Sequence, residues 1–301
     1  MIPPEMTPEE RQAASQANIA AGGLPLNAID RLRDEASKVG TAKHIFTSDL
    51  SPNELLLTRK CGFEPLGQVM GSCIYHVGWY AGPGWNWMSG ELTVITQAYY
   101  AARHLAMNRL QQEAKILGAS GVVGVQLTMA EYSWGQGLIE FAAVGTALRE
   151  IGAPPLAENV MPFVSSLNGQ DHFTLRQAGY RPVGFAMGNC TWFQYASWRT
   201  QQATGGALFG GGWNNQELTD YTQGAYNARE FGMQRMQAEA RAVNAAGVVG
   251  VTVDLKTEQY ETQNQRGLIL HFTALGTCIA PDFAAPKTVS VRPDVILLDV
   301  Q

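Results

Sequence analysis

GASGVVGVQLTM at residues 118–129 and NAAGVVGVTVDL at 244–255 share the pentapeptide Gly-Val-Val-Gly-Val. One chain carrying the same unusual strand twice signals an internal repeat, and a repeat overlooked is a fold misread. The match runs outward from both copies. Residues 91–125 (ELTVITQAYYAARHLAMNRLQQEAKILGASGVVGV) and 217–251 (ELTDYTQGAYNAREFGMQRMQAEARAVNAAGVVGV) agree at 19 of 35 positions without a gap. Further out, GFEPLGQVMGSC at 62–73 parallels GYRPVGFAMGNC at 179–190, and FAAVGTAL at 141–148 parallels FTALGTCI at 272–279. The chain is therefore a tandem duplication of a unit of roughly 100–110 residues, an ordinary domain size.

Each unit reads as two strands, a long helix and two more strands. The predicted fold is α+β: two tandem repeats, each a β-β-α-β-β unit with one long helix packed on a mainly antiparallel sheet. Leu92, Ile95, Tyr99, Ala102, Ala106, Leu110, Ala114 and Leu117 fall at spacings of three and four, one apolar stripe. Leu218, Tyr221, Ala225, Ala228, Gly232, Met236, Ala240 and Val243 repeat it. Small residues in mid-stripe let the helix lie close to its sheet. Ser89 aligns with Asn215 as the expected N-cap, and Gly118 with Asn244 at the C′ position, where a left-handed backbone is needed. The strands after the helices lack side chains at Gly121, Gly124, Gly247 and Gly250, which points to a bulge or to close approach by another backbone. Ahead of the helices, 54–79 and 172–198 read as extended and broken by turns.

The boundaries follow from the repeat. Residues 1–47 are an N-terminal extension in which NAIDRLRDEASKV reads as a short amphipathic helix able to dock on the first unit. The first repeat spans 48–150, a Pro-rich joint 151–162, the second repeat 163–280 and a C-terminal tail 281–301.

Composition narrows the function classes. Over 301 residues the net charge is −5 and no run of Lys or Arg marks a nucleic-acid face. No stretch approaches the roughly 20 consecutive apolar residues that cross a bilayer. The N-terminus, polar and acidic, does not read as a secretory signal. Four cysteines without a CxxC suit a reducing compartment, so the expected location is cytoplasmic. Only 16% of residues are charged, while Trp numbers 7 and Gly 32, which suggests surface covered between subunits.

LGQVMGSC with PVGFAMGNC, MNRLQQEA with MQRMQAEA, the two GVVGV strands and the closing VGTAL and LGTCI together resemble the YbjQ family. The resemblance covers both repeats but not the N-terminal extension or the tail. It implies small α+β units that assemble into pentameric rings, and a heavy-metal-binding label. A duplicated chain departs from the single-unit pattern. Alternating halves cannot fill a ring with an odd number of units, so the expected homo-oligomer is five chains as two stacked rings, with an even-membered ring or larger assembly as the alternatives.

For a soft divalent metal the candidate ligands are Cys73, His76 and Cys190. The second repeat places Phe193 where the first has His76, and buried packing is the competing reading of both thiols. Arg109 and Glu113 recur as Arg235 and Glu239, which reads as a surface i,i+4 pair or as a contact between subunits. None of His44, His104, His172 and His271 recurs at its matching position, and no hydrolase, zincin or P-loop motif is present. The Gly-aromatic loops 78–90 and 203–216 place Trp85, Trp87, Phe209 and Trp213 at expected oligomer contacts, together with Gly121, Gly124, Gly247 and Gly250. The sequence therefore predicts a self-assembling, non-enzymatic protein, with a soft-metal or small-ligand binder using Cys73 and Cys190 as the alternative.

Overall fold

The computed structural model describes residues 6–77, 88–131, 137–204, 215–261 and 266–282. The N-terminal extension forms α1 (Pro8–Ala20) and α2 (Leu26–Lys38). The first repeat follows as α3 (Pro52–Lys60), β1 (Phe63–His76), β2 (Gly90–Glu91), α4 (Thr93–Ile116), β3 (Gly121–Glu131) and β4 (Leu138–Glu150). The second runs β5 (Phe163–Val164), α5 (Gly169–Gln177), β6 (Tyr180–Tyr195), α6 (Trp198–Thr204), α7 (Thr219–Ala242), β7 (Gly247–Glu261) and β8 (Arg266–Pro281).

Each repeat builds three long antiparallel strands with its long helix across one face. The strand orders are β1-β4-β3-β5 and β2-β6-β8-β7. The outermost short strand of each sheet is thus lent by the other repeat. The apolar stripe of α4 is buried from Ile95 to Leu117 against Val69, Cys73, Phe141 and Ala143. Helix and strand nearly touch. A Cβ on Gly71 would lie 2.0 Å from the Ala106 carbonyl oxygen, and one on Gly188 would lie 2.3 Å from that of Gly232. These glycines exist because no side chain fits between the two backbones.

The helix ends separate local from tertiary control. At the C-terminal ends Gly118 and Asn244 take φ of 80° and 53°, the left-handed conformation expected at C′. At the N-terminal ends the expectation fails. The caps are Leu92 and Leu218, three residues beyond Ser89 and Asn215, and neither makes a side-chain cap bond.

Within the α+β class one element of each repeat also differs. Residues 54–60 and 172–177, read as extended, belong to α3 and α5. Ser51 and Glu54 form a reciprocal capping box with Pro52 in the first turn, and Asn168 caps α5 by accepting from the Asp171 N–H. Those local signals start a helix in a stretch whose apolar residues suggested a strand. No helix among the described residues is long and apolar enough to cross a membrane.

Candidate assembly interface

The two repeats meet side by side, and the meeting explains the glycines of GVVGV. β5 lies parallel to β3, pairing Phe163 with Gly121 and Val164 with Val122. The pairing continues past β5. Ser165 N–H donates to the Val122 carbonyl at 2.9 Å, Gly124 N–H to Leu167 at 2.8 Å and Val125 N–H to Ser165 at 3.0 Å. Gly121 has no side chain because the Phe163 ring fills that space, 2.2 Å from where a Cβ would sit. Gly124 carries the bulge between Val123 and Gln126, with φ of 63°. On the far side of the contact β2 pairs with Trp192 and Phe193 of β6. Leu92 N–H donates to the Thr191 carbonyl at 2.8 Å, and the Ser89 hydroxyl accepts the Tyr195 N–H at 3.1 Å. Ser89 therefore serves a neighbouring strand, which is why it does not cap α4.

Polar side chains on α4 complete the seam. The Thr96 hydroxyl accepts the Thr191 N–H at 3.0 Å. The Tyr100 hydroxyl accepts from Asn189 N–H at 2.9 Å and donates to the Met187 carbonyl at 3.2 Å, closing an otherwise open strand edge. Burial pushes the Tyr100 phenol up to about 12, so it keeps the proton it donates. Arg103, only 3% exposed, donates to Glu239 at 2.6 Å. Glu91 holds Arg235 at 2.7 and 2.8 Å, and this pairing raises the Arg235 pKa further. Charge-assisted bonds in a partly dry seam fix orientation as well as supply energy.

Arg109, Glu113, Arg235 and Glu239 do not pair along their helices. Each arginine donates to a strand carbonyl, Arg109 to Ser72 at 2.6 Å and Arg235 to Asn189 at 3.0 Å. Each glutamate accepts a strand N–H, from Met70 at 2.8 Å and from Met187 at 2.9 Å. They clamp helix to strand, and in the second repeat the clamp also receives the first repeat's Glu91 and Arg103. Beside it opens a cleft of about 810 Å3 between the repeats, lined by Arg103, His104, Met107, Phe163, Phe185 and Glu239.

The contact is heterologous. The first repeat contributes Glu91, Thr96, Tyr100, Arg103 and the β3 edge. The second contributes a different surface, made of the β6 edge, residues 163–167, Arg235 and Glu239. A contact of this type leaves one unused surface of each kind. In the second repeat β7 is an unpaired sheet edge among the described residues, with Val251, Val253 and Leu255 exposed on one face and Val253 at 59%.

The candidate metal ligands do not come together. Cys73 is buried against Phe141 and Ala102, while His76 is exposed. Three residues apart on one continuous strand, the two project from opposite faces of the sheet. Cys190 lies in the other sheet, and burial, reinforced by Glu91, pushes its thiol up to about 12. Burial raises the Cys73 thiol as well. Metal sites need thiolates, and among the described residues no cluster of three or more His, Cys, Asp or Glu is placed to hold an ion. These residues do not fit a heavy-metal centre; they pack.

Of the expected contact residues, Gly121 and Gly124 lie in the seam, while Gly247 and Gly250 lie on the open edge of β7. Trp85, Trp87, Phe209 and Trp213 fall outside the described residues, as does the tail beyond 282. Glu91, read from the sequence as a first-turn residue of the long helix, lies instead in β2 ahead of α4, and Tyr100 and Arg103 were not singled out by sequence reasoning. The available signal was that Glu91/Glu217, Tyr100/Tyr226 and Arg103/Arg229 are identical in the two copies yet lie off the apolar stripe.

Fold and seam together define a class: a duplicated α+β unit whose copies join edge to edge by exchanging short strands. The chain belongs to the YbjQ family, described as "putative heavy-metal-binding", which matches residues 64–150 and 207–280, more than half its length. A Mycobacterium tuberculosis protein named as an encapsulin nanocompartment protein is 40% identical over 258 residues, 83% of this chain and 95% of its own. A UPF0145 protein of Archaeoglobus fulgidus is 39% identical over 89 residues, 29% of this chain and 81% of its own. One of Clostridioides difficile is 37% identical over 86 residues, 28% and 75%. The two short relatives are each the size of a single repeat.

Proposed function

We propose that this protein is a self-assembling structural protein rather than an enzyme, one that builds a homo-oligomeric ring or closed shell from identical chains. The observation that carries the reading is the heterologous seam, which satisfies one surface of each repeat and leaves the complementary surface of each without a second repeat against it among the described residues. Surfaces of that kind close by rotation or grow without limit. The mycobacterial relative's name, a nanocompartment protein, supports the same reading, and its match spans nearly all of that chain. Four unpaired cysteine thiols support work in a reducing compartment, the cytoplasm.

The lateral seam also bears on arrangement. Two stacked rings with one repeat in each would leave the repeats in different layers. Here they exchange strands within sheets, which favours repeats alternating along one ring or shell, with an even number of units.

Native mass spectrometry and light scattering at micromolar concentration test this. The expected result is a discrete species at an integer multiple of the 32.7 kDa chain mass, with ring or shell outlines in negative stain. A 32.7 kDa monomer throughout that range would refute it.

A further inference from the structure

We infer that the next copy of this chain docks on the first repeat by reproducing, position for position, the contact that the first repeat makes on the second. This rests on the self-assembly proposed above and names its interface.

The outgoing surface of the second repeat carries the same residues as the seam. Glu217, Thr222, Tyr226 and Arg229 stand where Glu91, Thr96, Tyr100 and Arg103 stand in the first repeat. Tyr226 is 64% exposed, whereas Tyr100 is tucked into the seam. Arg229 is exposed and makes no ion pair among the described residues. Leu218 holds φ −89° and ψ 81°, matching the −87° and 79° of Leu92, although among the described residues no strand lies against it. Its N–H is already posed as that of Leu92 is. On the β7 edge Gly250 keeps the bulge with φ of 61°. Over Gly247 the nearest atom to an added Cβ is 4.0 Å away, where Gly121 has the Phe163 ring.

The receiving surface of the first repeat is the matching half. Met70 and Ile74 are 47% and 62% exposed, while their counterparts Met187 and Thr191 are buried beneath the first repeat. Ser48 bonds Thr146 just as Ser165 bonds Thr277, so residues 46–50 lie on their own sheet as 163–167 lie on theirs. Among the described residues no backbone hydrogen bond ties 45–50 to a strand, whereas Phe163–Leu167 is bonded along β3. Phe46, the counterpart of Phe163, is the side chain that fits the space over Gly247. Transferred to two chains, the seam places Arg229 on Glu113, Glu217 on Arg109, the Tyr226 hydroxyl on the edge between Met70 and Ser72, and residues 46–50 along β7.

Part of that surface is met from within the chain. Arg31 of α2 reaches Glu113 at 3.4 Å, and the Ile19 and Gly23 carbonyls take Arg109 nitrogens at 2.9 and 3.1 Å. These are the places that Arg103 and Glu91 hold on the second repeat, so α1 and α2 stand in for the absent neighbour. Arg103–Glu239, at 2.6 Å with a buried arginine, is the tighter version, so an arriving Arg229 displaces Arg31.

The test uses the full chain. Thr47→Cys combined with Val248→Cys places thiols at the counterparts of Val164 and Val122, paired neighbours in the seam. Mild oxidation is expected to give a ladder of chain multiples on non-reducing gels, absent from either single variant. Tyr226→Glu with Arg229→Glu alters exposed side chains only. It is expected to leave thermal unfolding of the monomer unchanged and to raise the concentration at half-assembly by tenfold or more. Undiminished assembly of that double variant, together with no ladder, overturns this interface while leaving self-assembly standing. A wild-type chain that is monomeric at micromolar concentration overturns both.

Discussion

His172 sits where three segments meet. Its ring stacks parallel on Phe163 at 6.0 Å and edge-on to Phe63 at 5.4 Å, and among the described residues neither ring nitrogen has a hydrogen-bond partner. Burial, helped by the neighbouring Arg176 charge, depresses its pKa from 6.5 to about 4. The unfolded chain therefore takes up this proton first as pH falls. Stability from the neutral ring is complete above about 6.5 and is lost progressively as pH drops toward about 4, a total of about 3 kcal/mol. Thermal scans between pH 7 and 4 are expected to show that loss, and His172→Phe to flatten it. Sequence comparison set this histidine aside because it does not recur in the first repeat. Its environment is built from Phe63 of one repeat and Phe163 of the other, a combination no local spacing reveals. Gly118 and Asn244 were legible for the opposite reason, since a left-handed C′ residue is dictated by its own backbone.

Elements divide along the same line. The long helices were readable because their stripe is periodic and its small residues mark where strand and helix backbones meet. Gly71→Ala drives a Cβ to 2.0 Å from a carbonyl oxygen that has nowhere to go. It is expected to cost about 3 kcal/mol, seen as a lowered urea midpoint. The start of α4 was not readable, because Glu91 and Leu92 are held by the second repeat and Ser89 is recruited to a β6 edge. α3 and α5 carry caps at Ser51 and Asn168, but 54–60 and 172–177 were read as part of the extended stretch ahead of each long helix. α2 docks through Leu32, fully buried with Leu66 and Leu110, while its exposed Arg31 adds little hold on the first repeat. Arg31→Ala is therefore expected to leave folding intact and to lower the concentration at half-assembly several-fold in sedimentation velocity runs, by removing the group that an arriving chain must displace.

At the scale of the whole molecule, the duplication was legible from one repeated pentapeptide, the α+β class from the helical stripes and strands around it, and the expectation of partners from low charge and the family resemblance. The seam itself did not. The reading of Arg109, Glu113, Arg235 and Glu239 as helix-surface pairs was sound for an isolated helix. It failed because strand edges offered these side chains carbonyl and N–H partners in a drier setting. The thiols drew attention as potential ligands, yet Cys73 and Cys190 are where a small apolar residue was needed beneath a long helix.

Fusing two units into one polypeptide has a further consequence for how the protein changes over generations. When a single unit meets its own copies, one codon writes both sides of every joint, and no joint can be altered alone. Here the internal joint has its own letters: Val164 where the outer surface has Thr47, and Thr191 where it has Ile74. Cohesion inside the chain and readiness to part from a neighbour have become separately heritable traits, free to be tuned in opposite directions.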